Sequence, residues 1–233
     1  MNGKYNFFGW YNSVIGPLHL QNGTPNQDYA QLYISNKITI GVVCDGLGSK
    51  KYSHIGSKTL ANSLIKCAKN FDFSKDISLF KPLLKSIWDI EKYPYNDADT
   101  GTTLLFCIIQ KGIIRVGMVG DGAIVLLGKG NHIITPEKNN SFGNITSSFG
   151  ANSNILWYDY SVNDIDGVVM FTDGIADDLI PEKMIKFASD FIAEYKNKHI
   201  VQRKILINKW LNNWPVRGHS DDKSILALVK GER

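Results

Sequence analysis

GVVCDGLGS, residues 41–49, is an apolar run that stops at an Asp-Gly pair and then turns through further glycines. The ending recurs twice: 117–120 runs into Asp121-Gly122, and 168–172 runs into Asp173-Gly174. A further acidic pair, Asp221-Asp222, reverses the order by leading into the apolar run 224–229, and Asp28 precedes the run 31–34 in the same way. Carboxylates therefore stand at the ends of several short apolar runs. If those ends converge in space, they form an oxygen-rich pocket of the kind that hard divalent cations occupy.

The runs themselves are β-branched and bounded by Gly, Asn or Asp, which predicts strands over 31–34, 38–44, 103–110, 113–119, 123–127, 168–172 and 224–229. Residues 55–69 place Ile55, Leu60, Leu64, Ile65 and Ala68 near helical spacing. The pattern repeats over 77–90 and 182–213, the latter read as two helices broken near 196–199. Hairpin-linked strands interrupted by pairs of helices, without strict β-α-β alternation, predict an α+β fold with antiparallel sheets covered by segregated helices. Segment 131–154 is rich in Asn, Ser and Gly and too long for an ordinary connection, so it is read as either a functional flap or a locally disordered stretch.

At 233 residues and 43% hydrophobic content the chain is long enough for one substantial core, and no linker-like tract divides it, so a single domain over 1–233 is expected. The net charge of +4 comes with no basic block, which argues against a dedicated nucleic-acid binder. Cys44, Cys67 and Cys107 are odd in number and form no CxxC pair, so they read as buried thiols in a reducing compartment. No leader-like N-terminus and no apolar stretch of bilayer length is found, and a cytoplasmic protein without a membrane partner is the expectation.

Each acid has a plain structural alternative. Asp45 sits at a strand rim, and Gly46, lacking a Cβ, can turn its carbonyl toward an ion held by its neighbour; an Asp-Gly pair also simply makes turns. Asp121-Gly122 separates 113–119 from 123–127 by the spacing of a two-residue hairpin. Asp173-Gly174 follows a strand and precedes a helical segment, where no hairpin is required, and Asp177 and Asp178 read as caps or solvated residues of that helix. Asp28 reads equally as an ordinary turn residue, and Asp221 and Asp222 as a solvated bend. Jointly, a shared metal site accounts for all of them, because like charges packed closely need a cation to stay ionised.

In order, NQDYA, VCDGLGSKKYSHIGS, DTGTTLLFCII, VGMVGDGAIVLL, VMFTDGIADDL and HSDDKSILALV resemble the signature of PPM-type (type 2C) metal-dependent protein serine/threonine phosphatases across 9–230. GPLHLQNGTPNQD resembles the bacterial branch. The resemblance implies a four-layer α-β-β-α sandwich with two central antiparallel sheets. It also implies a two-metal site for Mn²⁺ or Mg²⁺, about 3.5–4 Å apart, that activates a water for attack on phosphoserine and phosphothreonine. Carried over by motif, Asp45 bridges both ions, the Gly46 carbonyl and Asp28 serve the second, and Asp173 and Asp221 hold the first. Asp121 matches the acid beside a weaker third ion, and Asp222 is a structural neighbour.

The chain departs from the family pattern at three places. Where many relatives carry an Arg that grips the phosphate, this chain has His19 and Gly23, so His19 or Arg217 is the candidate for that role, and His19 joins Asp45 as a candidate catalytic residue. Leu47 replaces a His that some relatives place as general acid, which leaves a metal-bound water or His54 as proton donor. GDGA stands where GDSR is usual. The resemblance implies a phosphorylated protein substrate and a cognate kinase, and the chain itself is expected to be a monomer. Two rivals stay open at this point: a catalytically silent phosphoprotein-binding module, and a phosphohydrolase of small molecules.

Overall fold

Strict alternation along the strands sorts apolar side chains between two opposite faces, and both faces are buried. In β4 (Leu104–Gln110), Leu105, Cys107 and Ile109 enter one cluster while Leu104, Phe106 and Ile108 enter another. In β10 (Lys223–Lys230), Leu226 and Leu228 face the first of these clusters, and Ile225, Ala227 and Val229 face a third. Strands buried on both faces lose the polar half of the alternating pattern, which is why these segments read as continuous apolar runs. The computed structural model describes residues 6–136 and 147–231.

Among the described residues there are two five-stranded sheets, antiparallel throughout. One has β1 (Phe7–Val14), β10, β9 (Ile165–Phe171), β6 (Ala123–Gly128) and β7 (His132–Ile134) in that order. The other has β2 (Asp28–Ile34), β3 (Thr39–Asp45), β4, β5 (Ile113–Val119) and β8 (Leu156–Ser161). The shared core between the sheets includes Val43, Leu105, Met118, Ile124, Met170 and Leu226. Helices α2 (Ser53–Asn70) and α3 (Phe80–Glu91) cover the outer face of the second sheet, and α5 (Met184–Tyr195) and α6 (Ile200–Asn212) cover that of the first. This is the α-β-β-α sandwich expected from the sequence, with the gap between the helices of 182–213 at Lys196–His199.

Two short helices complete the course of the chain, α1 (Pro17–Asn22) and α4 (Asp173–Ala176), both beside the acidic strand ends. In the helical layer over the second sheet, the fully buried Trp88 donates its Nε1–H to Gly56 O at 3.2 Å and to Thr59 Oγ1 at 3.0 Å, pinning α3 to α2.

One local expectation fails. Asp121-Gly122 is not a hairpin turn, because β5 and β6 belong to different sheets and do not pair. The chain crosses between layers there, through Gly120 at φ 89° and Gly122 at φ 98°, values that side-chain-bearing residues rarely adopt. Strands β7 and β8 were missed because they are edges: Leu156, Tyr158 and His132 are exposed, so no sustained buried face marks them. Of segment 131–154, β7 occupies Ile133 and its neighbours, and Phe149 is buried with its N–H on Thr102 O at 2.8 Å. The flap or disorder expected for its middle, 137–146, lies outside the described residues.

The sandwich centre sets a test. Leu226→Ala removes a fully buried side chain between the sheets and is expected to cost about 2–5 kcal/mol, read as a lower denaturant midpoint at unchanged slope. A loss under ~1 kcal/mol would show that this interface is not tightly packed.

Candidate metal centre

β2 opens with Asp28 and β3 closes with Asp45, and the antiparallel register sets the two residues opposite each other. The Asp45 peptide is fixed from the neighbouring strand: its N–H donates to Thr103 Oγ1 (2.9 Å), and its carbonyl accepts from Thr102 Oγ1 (2.8 Å) and Thr103 N–H (2.7 Å). Gly46 follows with its N–H on Gln27 O at 3.1 Å. A Cβ there would lie 2.8 Å from Gln27 O and from Ser53, so only glycine lets the chain pass so close beside Asp45.

Asp173 is the first residue of α4, separated from the end of β9 by Thr172 alone. A Cβ on Gly174 would meet Asp222 O at 2.0 Å, so the turn that presents Asp173 also depends on glycine. Asp121 reaches the same place from the crossing between sheets. Carboxylate oxygens of Asp45, Asp121 and Asp173 all lie within 4.8 Å of one another, and Asp173 Oδ1 is buried with no hydrogen-bond partner. These three, with Gly46, Asp221 and His19, line a cavity of about 240 Å³.

Asp28 takes a different place. It is 5% exposed, does not line that cavity, and accepts a hydrogen bond from Thr172 Oγ1 at 2.8 Å. Thr172 Oγ1 in turn accepts from Ser224 N–H at 3.0 Å, which couples β9 and β10 to the rear of the acidic group. Asp222 is a buried brace: its Oδ1 accepts from Gly16 N–H and its Oδ2 from Gln27 N–H, each at 2.6 Å. Asp221 Oδ1 accepts from Asp222 N–H at 2.8 Å and keeps its place on the cavity wall.

One residue escaped the sequence reading. Lys223 looks like a surface residue at a strand start, yet it is 1% exposed, with its Nζ donating to Asp221 O at 3.0 Å and lying 3.1 Å from His219 Nδ1. Burial lowers its pKa, against the pull of Asp178, Asp221, Asp28 and Asp222. Its only sequence signal is a cation wedged between an acidic pair and an apolar run. Asp178 neither caps a helix nor lies free; it accepts from Trp214 Nε1–H at 2.7 Å. Arg217 lines an adjoining cavity of about 260 Å³ that shares Asp173 and Asp221 with the first. His54 lines neither cavity.

Crowding and burial together decide the protonation of the acids. Desolvation is the largest influence on Asp28, Asp45 and Asp173, and each is raised further by its acidic neighbours. Asp173 is pushed up to about 6. A donor set made of oxygen, with an orphaned buried carboxylate oxygen and more negative charge than one lysine offsets, fits a hard divalent cation.

Residues 15–214 match the family model described as protein phosphatase 2C, and the chain belongs to that family. Membership makes it a metal-dependent protein phosphatase, with phosphoproteins as substrates. Among curated proteins, none matches the sequence. Solved structures share the fold at low identity. A bacterial serine phosphatase is similar at TM-score 0.67 and 16% identity, over 98% of this chain and 100% of its own. The serine/threonine phosphatase Stp1 from Staphylococcus aureus is similar at TM-score 0.66 and 16% identity, over 100% and 98%. RsbX in complex with magnesium is similar at TM-score 0.59 and 14% identity, over 99% and 98%.

The raised pKa values fix the sign of a pH effect. In the metal-free protein the folded state holds protons that the unfolded chain, with carboxyls near 3.8, has already released. Their contribution to stability therefore falls as pH rises from about 4 through about 6 and beyond. A divalent cation takes the place of those protons, so the gain in Tm on adding Mn²⁺ is expected to be larger at pH 7.5 than at pH 5. A gain independent of pH would contradict the assignment of these carboxyls to a cation site.

Proposed function

We propose that the cavity hydrolyses phosphoserine and phosphothreonine in proteins, using two Mn²⁺ or Mg²⁺ ions held by Asp45, the Gly46 carbonyl, Asp173 and Asp221, and a weaker third beside Asp121. Asp28, set behind Asp45, contributes to the second ion through its charge. The observation that carries this reading is the approach of Asp45, Asp121 and Asp173 to within 4.8 Å from three separate elements. The oxygen donor set supports either cation, and the similar RsbX structure is described as a magnesium complex. When bound, such ions supply positive charge to the phosphate oxygens and make a water acidic enough to attack phosphorus near neutral pH.

The chain's own contribution is placement. Thr102 and Thr103 fix the Asp45 peptide, and Asp222 fixes the segments that carry Gly16 and Gln27. Leu18 and Leu47 supply apolar wall to the cavity. No cysteine competes for phosphorus: Cys44, Cys67 and Cys107 are buried, none lines the cavity, and burial pushes the Cys67 thiol up to about 12. The oxygen donor set supports catalysis by an activated water, without a phosphoenzyme.

The same reading extends to context. The acids that line the cavity come from both sheets of one sandwich, which supports a single catalytic unit over 1–233, read as acting as a monomer. Three free, buried cysteines support a reducing, cytoplasmic setting, where a serine/threonine kinase must generate the substrate. No described helix is long and apolar enough to cross a membrane.

Asp45→Asn is the direct test. It is expected to lower phosphopeptide turnover by about 10³-fold, the rate equivalent of several kcal/mol of lost charge stabilisation, while the Tm of the metal-free protein holds or rises as one repelled buried charge is removed. Turnover at the wild-type rate in this variant, or undiminished activity in excess chelator, would refute the proposal.

A further inference from the structure

His19 and Asp222 are 203 positions apart in the chain, and the fold places His19 Nδ1 2.9 Å from Asp222 Oδ2. Asp222 cannot turn away, because both its oxygens already hold backbone N–H groups and the side chain is 2% exposed. α1, which carries His19, is held to the same segment: Gly16 N–H binds Asp222, Leu18 N–H donates to Ser220 O at 3.1 Å, and a Cβ on Gly16 would clash with the Asp221 carbonyl. The approach of Nδ1 is close but not aligned as a hydrogen bond. Nδ1 is buried, so Nε2 is the nitrogen left to the cavity that the ring lines with Asp45, Asp121, Asp173 and Asp221.

We infer that His19 is the proton donor to the leaving oxygen of the phosphorylated side chain, with Asp222 as its positioning residue; the inference rests on the phosphatase reading of the cavity. A carboxylate facing one ring nitrogen fixes the orientation of the ring and sets which nitrogen points outward. In the step, a water oxygen forms a bond to phosphorus and gives up a proton to solvent. The P–O ester bond breaks, its electron pair stays on the serine or threonine oxygen, and the Nε2 proton moves to that oxygen. The free alcohol departs, and His19 takes a new proton from solvent. The chain has Leu47 where some relatives carry a histidine, His54 lines neither cavity and His219 lines only the adjoining one, so among the described residues His19 is the imidazole that lines this cavity.

This role differs from gripping the phosphate in a way that kinetics can read. Serine and threonine leave as strongly basic alkoxides and need a proton, whereas p-nitrophenol leaves as a stabilised phenolate and does not. His19→Gln is expected to reduce kcat/KM on a phosphoserine peptide about 10²-fold more than on p-nitrophenyl phosphate, at a Tm close to that of the wild type. Asp222→Asn is expected to show the same bias to a smaller extent, whereas structural damage would lower both substrates alike. Equal losses on the two substrates, or no loss on either, would overturn the inference. Metal-dependent turnover of p-nitrophenyl phosphate by the wild-type chain reports separately on the phosphatase reading itself.

Discussion

Repulsion among carboxylates buried at one end of the sandwich is the constraint on which the rest of this structure turns. Asp28, Asp45 and Asp173 are each driven toward the protonated form by desolvation and by one another, so the fold holds them together only with specific help. Thr172 donates to Asp28, Thr102 and Thr103 fix the Asp45 peptide, and Lys223 brings a buried cation to the back of the cluster. Several acids facing few cations leave a net negative pocket. A divalent ion is the missing counter-charge, and the chemistry of the family follows from that deficit.

The layers exist to bring the strand ends to one place. Because β3 and β10 lie in different sheets, Asp45 and Asp221 approach from opposite sides of the sandwich, while Asp121 and Asp173 arrive from segments that pass between or above the layers. Backbone must come unusually close at these points, and Gly46 and Gly174 are the residues that permit it. The apolar core between the sheets thus serves function directly: it sets the spacing at which the carboxylates meet.

Much of this was legible in the sequence, for a physical reason. Strands buried on both faces write themselves as unbroken apolar runs, and a carboxylate at the end of such a run marks the rim of a sheet. What could not be read was pairing. The interval between β5 and β6 has the length of a hairpin, and nothing local reveals that the two strands join different sheets. Edge strand β8, with Leu156 and Tyr158 exposed, carries no buried face to announce it. Long-range partners were hidden for the same reason: the burial of Lys223, the setting of Asp28 behind Asp45, and the pairing of His19 with Asp222 all depend on contacts made only after the layers assemble.

The position of the counter-charge is the most direct measure of this account. Crystals grown with Mn²⁺, measured at the manganese absorption edge, should show anomalous peaks in the cavity bounded by Asp45, Asp121, Asp173 and Asp221. Strong peaks bound elsewhere on the molecule, with none among those four carboxylates, would contradict it.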